Sequence, residues 1–150
     1  MNYDQIPLTK LIGSIYRSTQ AYMNEVTKQY QLGCGTYPYL LTLFHNDGIN
    51  QNQISKELDV DKSMSARAIK KLIELGYVKK ESDPEDSRAY KLYLTEQGKE
   101  IVPTLKTEIN NWNQIITANL DNKDKDELIH LLRIILHDTK KHRLDQKVEG

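Results

Sequence analysis

The stretch INQNQISKELDVDKSMSARAIKKLIELGYVKKESDPEDSRAYKLYLT, Ile49 to Thr95, decides how the chain folds. Asn50 followed three residues on by Gln53 has the form of a capping box, in which each side chain satisfies the other residue's backbone N–H. A short helix is therefore expected through Ile54 and Leu58. Asp59 to Asp61 reads as a turn, and Asp61 as the cap of a longer helix that ends at Gly76. Two helices about a turn of roughly three to four residues have helix-turn-helix spacing.

The longer helix sorts by face. Ala68, Ile69, Leu72 and Ile73, with small Ser65, form one stripe, while Lys62, Ser63, Ala66, Arg67 and Lys70 form the other. The second stripe is polar, cationic and short-chained near its start. Such a face suits a major groove, because small residues let the backbone approach and Arg67 is long enough to reach a guanine edge in a bidentate pair. The same pattern also fits a solvated charged surface.

The segment after Gly76 favours the groove. Tyr77 to Ser82 and Tyr90 to Thr95 alternate as strands, with Tyr90, Leu92 and Leu94 lining one side of the second, and DPEDSRA between them reads as a hairpin loop. A helix-turn-helix followed by a two-stranded hairpin is a winged helix. Arg88 is expected on the wing tip, where a guanidinium can enter the narrow, electronegative minor groove. Asp86 is expected to hold that guanidinium in a fixed fork, the alternative being an ordinary surface pair.

Around this centre the chain reads as helical, so the fold class expected is mainly α with a small antiparallel β wing. Leu8, Leu11, Ile12, Ile15 and Tyr16 place a helix from Leu8 to about Tyr30, ended by Gly33 and Gly35. TYPYLLTLF starts a second, with Thr36 as cap, Pro38 in its first turn, and NDG, Asn46 to Gly48, as its stop. Past the hairpin, Thr95 caps a long helix that Pro103 is expected to kink and that carries Trp112, Ile115 and Ile116. A last helix carries Leu128, Leu131, Leu132, Ile135 and Leu136, and its charged tail from Lys140 is expected to fray.

The 150 residues suffice for one domain, or for one core plus helices that need a partner. Hydrophobic residues are 38%, low for a self-sufficient core. The formal charge is zero, yet from Lys62 to Lys91 eight cations face five anions, so positive charge concentrates on the winged segment. No apolar run reaches the roughly 20 residues of a membrane span, and the start MNYDQIPLTK lacks an apolar leader, so a cytoplasmic protein without membrane contact is expected. A single cysteine, Cys34, excludes an internal disulfide framework. With no G-x-S-x-G, no Gly-rich phosphate loop and no H-E-x-x-H, enzymatic activity finds no support, and no cofactor or metal is expected.

The order of elements resembles the multiple-antibiotic-resistance regulator (MarR) family from Leu8 to about His142. The most specific piece is LIELGYVKKESDPEDSRAYKLYLTEQGKE, with the leucine and glycine closing the recognition helix, the D-x-R of Asp86 and Arg88, and the L-x-L-T-x-x-G exit of Leu92 to Gly98. The resemblance implies a homodimeric transcription factor, usually a repressor, bound to a double-stranded DNA operator and released by a small amphipathic ligand or by thiol oxidation. Carried over by position, Asp86 and Arg88 form the wing pair, and Ser63, Arg67 and Lys70, with Lys62, face the groove. Ser87 stands where many members have a second arginine, which weakens the expected wing contact.

Residues 36–95 are then the winged helix-turn-helix, and residues 1–35 and 96–150 a helical dimerisation region. The physics asks for a dimer too, since the first and last helices would otherwise leave their apolar stripes wet. Tyr16 and Arg17, with Tyr39, are expected to frame a pocket for an aromatic or phenolic effector where the family binds aromatic acids. Three other readings stay open: a redox role for Cys34, a metal site among His130, His137 and His142, and a winged-helix dimer that has lost DNA binding and serves protein interactions.

Overall fold

The computed structural model describes residues 5–33 and 35–149. It contains six α-helices and two strands: α1 (Leu8–Thr27), α2 (Tyr37–His45), α3 (Gln51–Glu57), α4 (Lys62–Glu74), β1 (Val78–Asp83), β2 (Asp86–Leu94), α5 (Glu96–Ile116) and α6 (Asn122–Glu149). The winged helix and the mainly helical class are as the sequence indicates. The chain divides into two compact units, one running to Trp112 and one from Asn113.

In the first unit α1 and the turn that follows it reach Tyr30, where the apolar spacing places the end. Its last turn tightens into a 3-10 helix over Lys28–Tyr30, and the left-handed residue that ends it is Gln31, at φ 59°, rather than a glycine. Thr27, 1% exposed, donates its hydroxyl to the Met23 carbonyl and lies 3.2 Å from the Leu32 carbonyl, which ties the turn down. Along its polar edge α1 is fastened to α5. Tyr22 stacks on Trp112 with ring centroids 4.7 Å apart, Trp112 Nε1 donates to Thr19 Oγ1 at 2.8 Å, and the Tyr22 hydroxyl donates to Glu108 at 2.8 Å. That bond to a carboxylate holds the Tyr22 phenol above its ordinary pKa.

Capping decides the helix-turn-helix. Asn50 Oδ1 accepts from the Gln53 N–H at 2.8 Å and the Asn50 N–H donates to Gln53 Oε1 at 2.9 Å, so the expected capping box closes. Asp59 makes the turn at φ 55°, Asp61 caps α4, and Gly76 at φ 83° ends the segment. Thr36 departs from expectation. It occupies the N-cap position of α2, yet its hydroxyl turns back, accepting the Gly33 N–H at 3.0 Å and donating to the Gly33 carbonyl at 3.2 Å.

The hairpin leaves α4 through buried Tyr77 and pairs Val78 with Leu94, Lys80 with Leu92 and Ser82 with Tyr90. On the far side of β2, the Gly48 N–H donates to the Leu92 carbonyl and the Leu92 N–H to the Ile49 carbonyl, both at 2.9 Å. The entry to α3 is thereby hydrogen-bonded to the wing. At the exit, the Thr95 hydroxyl donates to the Gly76 carbonyl at 2.6 Å and accepts the Gly98 N–H at 3.1 Å, which caps α5 and holds it against the end of α4. The core of this unit contains Leu40, Leu43, Ile54, Leu72 and Val102, all fully buried.

α5 continues through Pro103 as one helix. In the second unit α6 is helical to Glu149, the charged tail from Lys140 included; no glycine or proline interrupts Asn122–Glu149. Its apolar residues from Leu128 to Leu136 are 36–52% exposed, and α1 leaves Leu8, Ile12, Ile15 and Tyr16 exposed as well. Among the described residues, no helix is long and apolar enough to cross a membrane.

Candidate nucleic-acid interface

α4 presents two chemically distinct sides because its inward positions are small or aliphatic. Ser65, Ala68, Ile69 and Leu72 are buried, and Lys62, Ser63, Ala66, Arg67 and Lys70 are all exposed. The outward stripe read from the sequence is therefore the one the fold turns to solvent. Met64, 45% exposed, lies beside it, and no charge pattern singles it out. At the start of the helix Asp61 Oδ1 accepts from Ser63 Oγ at 2.7 Å and from the Met64 N–H at 2.6 Å. The Ser63 bond first, then the backbone bond, holds the Asp61 carboxyl below its usual pKa. Ser63 thus spends its hydrogen on the cap and offers lone pairs outward.

Between the start of α3, the side of α4 and β2 runs a cleft of about 940 Å³. Asn50, Lys70, Lys80, Asp86, Arg88 and Tyr90 are among the residues lining it. Of the six groups expected to meet DNA, the cleft gathers Lys70, Asp86 and Arg88, whereas Lys62, Ser63 and Arg67 lie outside it on the exposed surface of α4. Lys80 Nζ sits 4.6 Å from the centroid of the Tyr90 ring, a cation–π contact that holds a further positive charge on the wing.

The wing differs from expectation in two respects. β2 begins at Asp86, so the tip is Pro84 and Glu85, and Arg88 belongs to the strand. Asp83 pairs with Asp86 while Ser82 pairs with Tyr90, so residues 87–89 bulge out of register and Arg88 stands in the bulge. Asp86 does not grip the guanidinium. Its Oδ1 accepts the backbone N–H of Arg88 at 3.0 Å, as Asp83 Oδ1 accepts that of Glu85 at 2.9 Å, two successive side-chain turns that shape the hairpin. A carboxylate two residues before its partner meets the nearby N–H more easily than a guanidinium at the end of a long side chain. The ion pairs Lys79 with Glu81 and Lys99 with Glu96 do not engage Arg88.

Of the residues expected to frame an effector pocket, Tyr39 lies in the core of the first unit and Tyr16 and Arg17 are exposed on α1. Tyr39 is 2% exposed and shares a 3.1 Å hydrogen bond with Ser65 Oγ, so it belongs to the core. Tyr16 is 60% exposed on α1, its hydroxyl accepting from Gln20 Nε2 at 2.6 Å, and the Arg17 guanidinium folds back over Gly13. Cys34 lies outside the described residues. His130, His137 and His142 are exposed along α6, and among the described residues no three histidines, cysteines or carboxylates converge as a metal set.

Known proteins share the fold of this chain and about a third of its sequence. The MarR family model matches residues 36–90, which covers α2 through the wing. The HTH-type transcriptional regulator BilQ of Clostridioides difficile is 30% identical over 128 residues, 85% of this chain and 86% of that protein. A MarR transcriptional regulator from Methanosarcina mazei Go1 has a crystal structure that superposes with a TM-score of 0.84 at 36% identity, covering 89% of this chain and 96% of that one. The transcriptional regulator SlyA superposes at 0.88 and 29% identity, over 91% and 96% of the two chains.

Proposed function

The chain belongs to the MarR family of DNA-binding transcriptional regulators, and from that premise we propose that it is a homodimeric repressor that reads a pseudo-palindromic operator and is released by a small amphipathic or phenolic ligand. The observation that carries the DNA-reading half is the outward stripe of α4, where Lys62, Ser63, Arg67 and Lys70 are exposed while Ser65, Ala68 and Leu72 anchor the helix from behind. In this reading Arg67 meets a base edge in the major groove, Lys62 and Lys70 meet phosphates, and Arg88 enters the minor groove, its backbone set by Asp86. Residues 36–95 form the DNA-binding part and residues 1–35 and 96–150 the pairing part, in the cytoplasm. For the ligand, Tyr16 and Arg17 on α1 and Tyr39 on α2 are the proposed contacts.

Titration against duplexes from the protein's own upstream region tests the DNA reading. Arg67→Ala is expected to cost about 1–3 kcal/mol and to relax preference at one position in each half-site, because a bidentate base contact carries sequence information. Lys79→Ala or Lys80→Ala should instead lower affinity on all sequences and flatten the salt slope by about one unit if these lysines meet phosphates. Unchanged specificity in Arg67→Ala would mean that α4 is turned differently in the groove.

The pairing half rests on the exposed apolar residues of α1 and α6. Apolar surface beyond a few hundred Å² ordinarily marks an interface, and a closed two-fold assembly covers it without leaving a new patch. Light scattering at micromolar concentration should return twice the monomer mass; a monomer there counts decisively against the dimer.

A further inference from the structure

We propose that Ser65 is a positioning residue for DNA readout, a buried polar hub that fixes the rotation of α4 about its own axis and thereby aims Arg67. The proposal rests on the DNA-reading role given above and goes beyond it, because Ser65 itself touches no DNA in that reading.

Ser65 is fully buried, and a polar side chain survives there only if its oxygen is satisfied. Two partners satisfy it from two other helices. The Ser55 hydroxyl of α3 donates to Ser65 Oγ at 2.7 Å while lying 2.9 Å from the Gln51 carbonyl, and the Tyr39 hydroxyl of α2 shares a 3.1 Å hydrogen bond with it. One oxygen on the recognition helix thus ties together all three helices of the winged core. Gln51 Nε2, 3.5 Å from the Lys62 carbonyl, adds a further link between α3 and the start of α4.

The remaining inward residues, Ala68, Ile69 and Leu72, are apolar and lie further along α4. Apolar packing constrains distance well and rotation less, since dispersion has no preferred direction. Hydrogen bonds do, weakening steeply away from a linear arrangement. Ser65 precedes Arg67 by two positions, about 200° of helix, so the hub and the base-reading side chain lie on nearly opposite sides of the axis. A rotation of about 10° moves a group roughly 6 Å from the axis by about 1 Å. That exceeds the ~0.5 Å within which a functional group must be held. Losing the hub should therefore blur sequence selectivity while leaving the charge that attracts DNA in place.

The experiment compares wild type, Ser65→Ala and the double variant Ser65→Ala/Tyr39→Phe. Each is titrated on a duplex selected by the wild type from a random pool and on a scrambled duplex, well below every melting temperature. Ser65→Ala should lower the ratio of selected to scrambled affinity about fivefold or more, with affinity for the scrambled duplex and its salt slope unchanged. In the double variant no tyrosine hydroxyl is left without its partner, so the melting temperature should recover toward wild type. Selectivity should stay low all the same. If selectivity returns with stability, or never falls, Ser65 is merely structural and the proposal is overturned. If Ser65→Ala does not fold, Ser55→Ala and Tyr39→Phe, each removing one bond to the hub, must each lower the ratio. A wild type that selects no sequence overturns the DNA-reading role, and this proposal with it; selection by the wild type with no change in any variant overturns this proposal alone.

Discussion

Arg88→Ala should abolish most operator binding while leaving the assembly and its melting temperature nearly unchanged. The side chain is exposed in the bulge of β2 and engages no carboxylate among the described residues, so its removal takes nothing from the core. Hydrogen bonds to a charged group contribute about 1.5–3 kcal/mol, and in the proposed dimer, with one wing in each protomer, the loss amounts to roughly 100-fold or more in affinity. Ser87 offers no second guanidinium. Asp86→Ala should do less harm, since it loosens the turn that sets the Arg88 backbone and keeps the cation. The Arg88→Ala loss should be larger on operators with A·T-rich outer flanks, where a narrow minor groove concentrates negative potential. Titrations at one fixed salt concentration on A·T-flanked and G·C-flanked operators decide the matter. Equal losses would make Arg88 an ordinary phosphate contact, and a large fall in melting temperature would make it structural.

The second large effect falls on stability. Gly98 is buried where the start of α5 passes the end of the recognition helix, and a Cβ there would sit inside the van der Waals envelope of the Tyr77 carbonyl oxygen and tight against Leu94. The obstacle is backbone, which cannot swing aside as a side chain can. Gly98→Ala should therefore cost about 3 kcal/mol or more, near the upper end for overpacking, and lower the melting temperature by roughly 10 °C. Gly35→Ala is the control, because nothing lies within 4 Å of its added carbon. An unchanged melting temperature for Gly98→Ala would mean that α5 and Tyr77 are not in close approach. The L-x-L-T-x-x-G exit has in this way a steric meaning: Thr95 bonds to the Gly76 carbonyl and caps α5, and the glycine lets α5 close over that joint.

What can be read from the sequence is local. The Asn50–Gln53 box, the Asp61 cap and Gly76 are short-range devices whose partners lie within a few positions, and each is legible from spacing alone. The two stripes of α4 follow from its period. Spacing puts Arg88 on a loop because residues 87–89 break the alternation of the strand, and a bulge looks like a loop when only the period is visible. Asp86 reads as a charge facing a charge, when a carboxylate two positions away more readily reaches backbone. Tyr39 reads as a ligand contact because tyrosines at helical spacing suit any half-polar surface. Its hydrogen-bond partner, Ser65, is 26 residues distant on another helix, and no local pattern reports that contact. Thr36 shows the same limit at short range, as a cap residue at the right position whose hydroxyl is taken by Gly33.

The outer strand of the hairpin carries one more consequence. Among the described residues β1 pairs only with β2, so its other side is an open edge of N–H and C=O groups, the kind of template on which two hairpins can zip together. Between Val78 and the proline at the turn that strand reads Lys79, Lys80, Glu81, Ser82, Asp83, four charges in five residues. A second copy approaching edge to edge would have to strip water from these charged side chains. Charge on this strand thus acts as a gatekeeper against aggregation, keeping solitary a hairpin that, in the proposed reading, has to remain uncovered in order to reach DNA.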